Sequence, residues 1–202
     1  MFERFTRNAI QAIVLAQDEC RGSGQVLVGV EQLLAGLLAL GEGLAFEVLS
    51  SRNITLAAVR SLHNGSVSGE NAAIGGEVPL AAPAEQVLVQ ASLEAVELFN
   101  ESTGTEHILL SLLREAVVLR LFEKLGVSAE ELKTGVWQSL LTIRLGACSE
   151  QVERSLIYGQ IGRLYYFLGH REDAVDAYKK ALTLPGGQVY SQYLNQCLGV
   201  EA

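Results

Sequence analysis

The sequence predicts an all-α protein built from two modules, and three observations lead to that prediction. The apolar residues are mostly Leu, Val and Ala, while aromatic residues make up only 6% of the 202-residue chain, a composition that favours packed helices over a β-sandwich. Apolar residues recur at helical spacing, as at Ile10, Ile13 and Val14. No segment alternates apolar and polar residues for long, so we expect no sheet.

The first module, residues 1–140, contains an internal duplication at a shift of 75 residues. The stretch "VLVGVEQLLAGLLAL", 26–40, aligns with "STGTEHILLSLLREA", 102–116. The pairs that coincide include Gly29 with Gly104, Glu31 with Glu106, and Leu34 with Leu109. Two copies of one helical unit are therefore expected, copy one over 1–63 and copy two over 80–140, with 64–79 as a Gly-, Ser- and Asn-rich linker.

Each copy is predicted to contain four helices. Copy one has them at about 3–21, 30–39, 43–51 and 55–63, and copy two at about 81–99, 105–114, 116–125 and 128–140. Thr55, Thr105 and Ser128 supply capping signals at helix starts, and glycines such as Gly41 and Gly126 mark helix ends.

The second module, residues 141–202, differs from both copies. Its segment 155–187 has small residues at Gly162, Ala174 and Ala181 between recurring large ones, the pattern of a helix–turn–helix repeat of about 34 residues. The turn is predicted at 169–171, and a short helix over 188–198 is expected to pack as a cap.

Composition and charge exclude several classes of function. A net charge of −8 argues against nucleic acid and an anionic membrane as partners. No run reaches the roughly 18 apolar residues that span a bilayer, and the charged start "MFERFTRNAIQ" is unlike a signal peptide. Three widely spaced cysteines read as reduced thiols of a cytoplasmic protein.

The pair Glu106–His107 could act in catalysis or could start a helix. A general base needs a positioned partner, yet His63, His107 and His170 fall on different predicted elements and form no metal-binding spacing. The favoured interpretation places Glu106 in a first helical turn, where the helix dipole stabilises it, and packs His107 inside the module. We expect no cofactor, and an enzyme using His107 or Cys148 is disfavoured because neither has a partner at suitable spacing.

Three phrases occur together in order and spacing: "FERFTRNAIQAIVLAQDEC", "VGVEQLLAGLLALGEGLA" and "TGTEHILLSLLRE". On these, residues 1–140 resemble the amino-terminal domain of Clp ATPases, especially the ClpC type, and the tail resembles a single tetratricopeptide unit. The phosphate-binding string G-x-x-x-x-G-K-[ST] of an unfoldase motor is absent from the sequence.

The resemblance implies a docking domain without its motor: a non-enzymatic accessory or adaptor of the Clp unfoldase–protease system. It would bind Clp unfoldase or protease subunits, or client proteins, in the cytoplasm or a plastid stroma. The alternative is an interaction scaffold that uses the fold without Clp contact.

The resemblance also implies binding residues. In ClpC-type domains the glutamate of each "TEH" segment helps to hold arginine phosphate groups, and the matching positions here are Glu31, Thr105 and Glu106. Copy one departs from that pattern, since Val30 replaces Thr and Gln32 replaces His. At most one such pocket, in copy two, is therefore expected.

The tail supplies a second set of candidates. A lone repeat leaves one face unstacked, and Tyr and Arg are frequent interface anchors. Arg163, Tyr166 and Arg171 are therefore candidate partner-binding residues. Alternatively, that face packs on the first module.

Overall fold

The computed structural model describes residues 2–63, 78–98, 100–148 and 150–199. The described residues form α-helices and one short 3-10 helix and contain no strand, which confirms the all-α prediction. The chain divides into two compact units, Met1–Val136 and Trp137–Ala202.

The first unit contains two sets of four helices. Copy one comprises α1 (Arg7–Gly22), α2 (Val30–Leu40), α3 (Leu44–Ser51) and α4 (Leu56–His63). Copy two comprises α5 (Ala82–Glu97), α6 (Thr105–Leu112), α7 (Ala116–Lys124) and α8 (Ala129–Ala147). The sequence prediction ended the last of these at 140, but it continues to Ala147 because "LTIRLGA" contains no proline and few residues that oppose a helix.

Most of the predicted linker, residues 64–77, lies outside the described residues. Its last two residues belong instead to the packed unit. Val78 is buried and its carbonyl accepts a hydrogen bond from the Gln17 side chain at 3.2 Å. The Pro79 carbonyl accepts from the Val28 N–H at 2.9 Å.

The two copies are interlocked by a symmetrical exchange of main-chain contacts. Phe5 forms a parallel bridge with Thr103, and Val28 forms one with Leu80. Each pairing is the other displaced by the same 75 residues, so the start of each copy pairs with the loop before the second helix of the other copy. The third helices follow the same rule, since α3 contacts α6 and α7 contacts α2.

Small residues let the first two helices of copy one pack closely. A Cβ added at Gly36 of α2 would lie 2.2 Å from the Ala12 carbonyl oxygen and 2.9 Å from the Ala16 Cβ, both on α1. Only glycine permits this approach. The corresponding residue of α6 is Ser111, which is buried and whose hydroxyl has no hydrogen-bond partner among the described residues.

The second unit is a helical hairpin followed by a short third helix. Its elements are α9 (Gln151–Phe167), α10 (Arg171–Leu182), the 3-10 helix Gly187–Tyr190 and α11 (Ser191–Leu198). The predicted turn is present, with Gly169 at φ +79°. The single predicted cap helix over 188–198 is instead a 3-10 turn followed by α11, since Gly186 adopts φ +82° directly before it.

Aromatic rings and glycines hold this second unit together. Tyr178 and Tyr193 stack with centroids 5.9 Å apart, and Tyr190 lies within 6.3 Å of both rings. A Cβ at Gly159 would lie 2.1 Å from the Tyr190 ring, and one at Gly162 would lie 2.7 Å from the Tyr178 ring. The small residues of the sequence pattern therefore make room for tyrosines, while the identification with a tetratricopeptide unit stays a prediction.

Candidate functional site

The starts of α2 and α6 are built in the same way. Gly29 and Gly104 are the N-cap residues, both with extended backbone. Gln32 Oε1 accepts from the Gly29 N–H at 2.9 Å, and His107 Nδ1 accepts from the Gly104 N–H at 2.8 Å. Each third helical side chain thus satisfies an N-terminal amide of its own helix. The Gln in copy one, a departure in sequence, preserves this contact.

The second polar atom of each capping side chain also has an equivalent partner. Gln32 Nε2 donates to Gln25 Oε1, and His107 Nε2 lies 2.8 Å from the Asn100 amide. Because His107 Nδ1 accepts from a backbone N–H, its Nε2 carries the proton, and the Asn100 amide presents its oxygen to it. Asn100 is displaced from Gln25 by the same 75 residues, so the whole arrangement is duplicated.

His107 is fully buried and structural in its contacts. Burial lowers the pKa of its imidazole, against the opposing effect of the carboxylates of Glu106 and Glu94. Glu106 Oε1 lies 3.3 Å from Nδ1. Since Gly104 already occupies the Nδ1 lone pair, the ring caps α6, as the helix-start interpretation of this pair predicted.

Behind each capping side chain lies a largely buried glutamate paired with an arginine. In copy two, Glu94 binds Arg114 and accepts from Gln90 at 3.2 Å. In copy one the equivalent residue is Glu19, which receives Nε of Arg60 at 2.9 Å and a second guanidinium nitrogen at 2.5 Å. The acid is preserved between copies, whereas its arginine comes from a different helix in each.

The candidate carboxylates Glu31 and Glu106 both fold back over their own N-cap glycine. A Cβ at Gly29 would lie 3.4 Å from Glu31 Oε2, and one at Gly104 would lie 2.2 Å from Glu106 Oε1. Both side chains are partly exposed. The carboxylates cover the helix amides that would otherwise attract an anion, so this arrangement suits a cation such as a guanidinium.

Thr105 serves the third helix of the other copy. It is buried, and its Oγ1 accepts from the Ala45 N–H near the start of α3 at 3.4 Å. The hydroxyl also lies 3.4 Å from Glu106 Oε2. The α3 N-cap residue Gly43 has no side chain of its own, so Thr105 replaces it as an acceptor. A binding role for Thr105 stays a prediction, and its observed contacts are structural.

Glu31 separates two clefts in copy one. The first has a volume of about 370 Å³ and is acidic, with Asp18 and Glu19 beside Glu31 and with Arg60 at its edge. The second, of about 410 Å³, lies between α2 and α7 and contains Arg120. The structure therefore describes open space beside the copy that sequence reasoning ranked second, and no motif in the sequence marks it.

The tail candidates lie in the second unit. Arg163 is exposed, and it opposes the burial that raises the pKa of Tyr178 to about 12. Tyr166 is partly buried and meets the ring of Phe167 edge-on at 6.2 Å. Arg171 is the exposed first residue of α10. Phe167, 77% exposed, was missed by the sequence reasoning, although an aromatic residue next to a glycine turn is a visible signal.

The described residues hold no group of three or more His, Cys, Asp or Glu side chains that could bind a metal ion. The three cysteines are unpaired, and burial raises the pKa of the Cys20 and Cys197 thiols. No single helix in the described ranges is long and apolar enough to cross a bilayer, and the bent pair α2–α3 reaches that length and composition only when taken together.

Comparisons with known proteins agree with this duplicated architecture. The family profile described as the Clp repeat (R) N-terminal domain matches residues 4–116 and 79–153. "Chaperone protein ClpC2, chloroplastic" of Oryza sativa subsp. japonica is 41% identical over 138 residues, 67% of this chain and 15% of that protein. The "ATP-dependent Clp protease ATP-binding subunit ClpA homolog" of Porphyra purpurea is 39% identical over 142 residues, 69% of this chain and 17% of that protein. The chain thus spans less than a fifth of the length of either relative.

Solved structures support the fold. The N-terminal domain of the caseinolytic protease associated chaperone ClpD from Arabidopsis thaliana superposes with a TM-score of 0.59 at 23% identity, covering 69% of this chain and 96% of that one. The Hsp104 N-terminal domain from Candida albicans gives a TM-score of 0.58 at 21% identity, with 66% and 89% covered. At these identities the likeness shows the fold alone.

Proposed function

The chain belongs to the Clp repeat N-terminal domain family, and from that premise we propose that it is a non-enzymatic accessory or adaptor of the Clp unfoldase–protease system. N-terminal domains of Clp ATPases bind substrates and adaptors. The proposal assigns this chain the same kind of contact, with Clp unfoldase or protease subunits or with client proteins.

One observation carries the proposal: the two copies present equivalent carboxylates, Glu31 and Glu106, at equivalent helix starts. Each carboxylate is held over a glycine N-cap whose amide is already capped from inside the fold. A guanidinium can bind such a carboxylate through two parallel hydrogen bonds. Arginine side chains of a partner, including arginines carrying a phosphate, are the ligands that this arrangement favours.

Which copy binds is open to a direct test. The sequence favours copy two, whereas the two described clefts border Glu31 of copy one. We expect free phosphoarginine to give a saturable calorimetric signal with the native chain and a weaker one with Glu106→Gln or Glu31→Gln, whichever residue forms the pocket. No heat with the native chain would end the phosphoarginine part of the proposal.

The tail supplies a second contact surface in this proposal. Arg163, Tyr166 and Arg171 lie on the exposed or partly exposed surface of α9 and α10, and Phe167 adds an exposed ring beside Tyr166. Aromatic and arginine side chains anchor many protein interfaces. The rival proposal, a scaffold without Clp contact, would use this surface alone.

The decisive experiment is capture of partners by the tagged full chain from a lysate of its source. Recovery of Clp unfoldase or protease subunits, reduced by Glu31→Gln or Glu106→Gln, supports the proposal. Recovery of an unrelated complex without any Clp chain favours the scaffold. Fractionation of the source cells tests location, for which the chloroplastic relatives support a plastid stroma and the sequence also allows a cytoplasm.

A further inference from the structure

The cleft between α2 and α7 has a chemical character unlike the rest of the protein. We define the α2–α7 groove by its apolar and basic lining residues, Leu27, Leu62, Val117, Arg120, Leu121 and Lys124. Its volume of about 410 Å³ lies within the range of ligand-binding clefts. We propose that the groove docks an acidic, amphipathic helical segment of a partner protein.

Three of the apolar side chains are exposed where a soluble surface would ordinarily be polar. Leu27 is 47%, Leu62 37% and Val117 39% exposed, and they surround the buried Leu121. They come from three separate parts of the fold: the loop before α2, the end of α4 and the first turns of α7. Contiguous apolar surface assembled in this way marks interaction sites more often than scattered single residues do.

The basic side chains give the groove its selectivity. Within residues 2–63, 78–98, 100–148 and 150–199, neither Arg120 nor Lys124 has an ion-pair partner, whereas Arg52, Arg60 and Arg114 all do. The chain as a whole carries a net charge of −8. An acidic partner is therefore repelled by most of the surface and attracted at this groove, so charge complementarity fixes where it docks.

The spacing of these residues specifies the shape of the occupant. Val117, Arg120, Leu121 and Lys124 follow the i, i+3, i+4, i+7 pattern and form one stripe of α7. The two cations are four residues apart, which is about 6 Å along the helix. A partner helix with two carboxylates four residues apart matches that distance, and its apolar side chains at i, i+3 and i+7 would enter the groove.

The duplicated fold shows why the groove exists in one copy. The third helix of copy one, α3, is covered by α8, where a Cβ at Gly135 would lie 3.1 Å from Val48. The third helix of copy two, α7, keeps Val117 exposed. It also carries Arg120 and Lys124, whereas the charged residue within α3 is Glu47.

Glu31 also borders the groove, on the α2 side. It is an acid facing an acidic partner, so the partner's carboxylates must lie against α7. The inference rests on the proposed protein-binding role of this domain but not on guanidinium binding by Glu31. Glu31→Gln is therefore expected to strengthen docking of the acidic segment modestly, about twofold, while it removes any arginine contact.

The test uses the full chain and a labelled synthetic helix of about 15 residues, with leucines at i, i+3 and i+7 and glutamates facing them four residues apart. Fluorescence anisotropy should show saturable binding, with affinity about tenfold lower for a peptide whose glutamates are replaced by lysines. The double variant Arg120→Gln/Lys124→Gln should raise the Kd about tenfold. The matched control, Arg7→Gln/Lys179→Gln, makes the same charge change elsewhere and should alter it less than twofold.

Three outcomes would overturn the inference: absence of saturable binding, equal affinity for the lysine peptide, or no effect of the double variant. Sedimentation that shows a self-association abolished by the double variant would assign the groove to a second copy and would also overturn it. Val117→Ser, at an exposed position that does not threaten folding, provides an independent check and should weaken binding. Capture of Clp subunits unaffected by the double variant would leave the proposed function standing while the groove assignment fails.

Discussion

His107 and Gln32 show how one structural task is carried out by two different side chains. Both occupy the third position of their helix, accept from a glycine N–H and contact an amide behind them. The difference between them is that an imidazole can gain a proton and an amide cannot. Copy one therefore provides a natural control for the histidine of copy two.

The histidine should make stability depend on pH. Burial lowers the folded-state pKa of His107 below its unfolded value of about 6.5, so the unfolded chain binds the proton more readily. The free energy of unfolding is then highest above about pH 6.5 and falls as the pH drops below that value, by at most about 1.4 kcal/mol per pH unit. We expect His107→Gln to flatten the decrease between pH 7 and 5 in urea titrations. Identical pH profiles for the two proteins would contradict this role.

The equivalent positions Gly36 and Ser111 should respond in opposite ways to alanine. Gly36→Ala forces a Cβ against the backbone of α1 and should lower the free energy of unfolding by about 1–3 kcal/mol. Ser111→Ala removes a buried hydroxyl without a described partner and should raise it by up to about 1 kcal/mol. Thermal denaturation of both variants, with the wild type alongside, checks the pair; equal losses would show that the two crossings are packed alike.

At the scale of the helices, cross-copy contacts replace contacts that each copy lacks on its own. Gly43 cannot cap α3, and Thr105 of copy two supplies the oxygen. Thr105→Val introduces the residue type found at the matching position in copy one, Val30. It should cost about 0.5–1.5 kcal/mol and increase amide hydrogen exchange at the start of α3. Unchanged exchange there would mean that the 3.4 Å contact contributes nothing.

Interlocking also predicts how the domain responds to division. The bridges Phe5–Thr103 and Val28–Leu80, and the contacts of α3 and α7, all run between copies. A fragment containing residues 1–63 loses every one of these partners. We expect it to lack cooperative thermal unfolding by circular dichroism, and to regain it when mixed with a fragment containing 78–136. A cooperative transition in 1–63 alone would show that each copy folds independently.

Helix positions could be predicted from the sequence because their apolar spacing and capping residues are local signals. The extension of α8 to Ala147 could not, since nothing in 141–147 either requires or forbids a helix. The bridging residues also gave no warning: Phe5, Val28 and Leu80 look like ordinary core residues. Their pairing depends on the fold of both copies together, which a local pattern does not contain.

For the whole molecule, the duplication and the family could be predicted, whereas the working surface could not. The motif "TGTEH" directed attention to Glu106 and Thr105, but Thr105 is buried against α3. The described clefts lie beside Glu31, where Val30 and Gln32 break the motif. Surface shape depends on which helix covers which, as with α8 over α3, and the sequence carries no short-range signal for that.

The central claim is that this chain works by binding proteins of the Clp system. The most direct measurement mixes the purified full chain with purified Clp unfoldase and, separately, with Clp protease subunits, and follows complex formation by analytical ultracentrifugation. We expect a defined complex with at least one of them, weakened by Glu31→Gln, Glu106→Gln or Arg120→Gln/Lys124→Gln. Absence of a complex with either, at concentrations where a client-bearing mixture also shows none, would contradict the account.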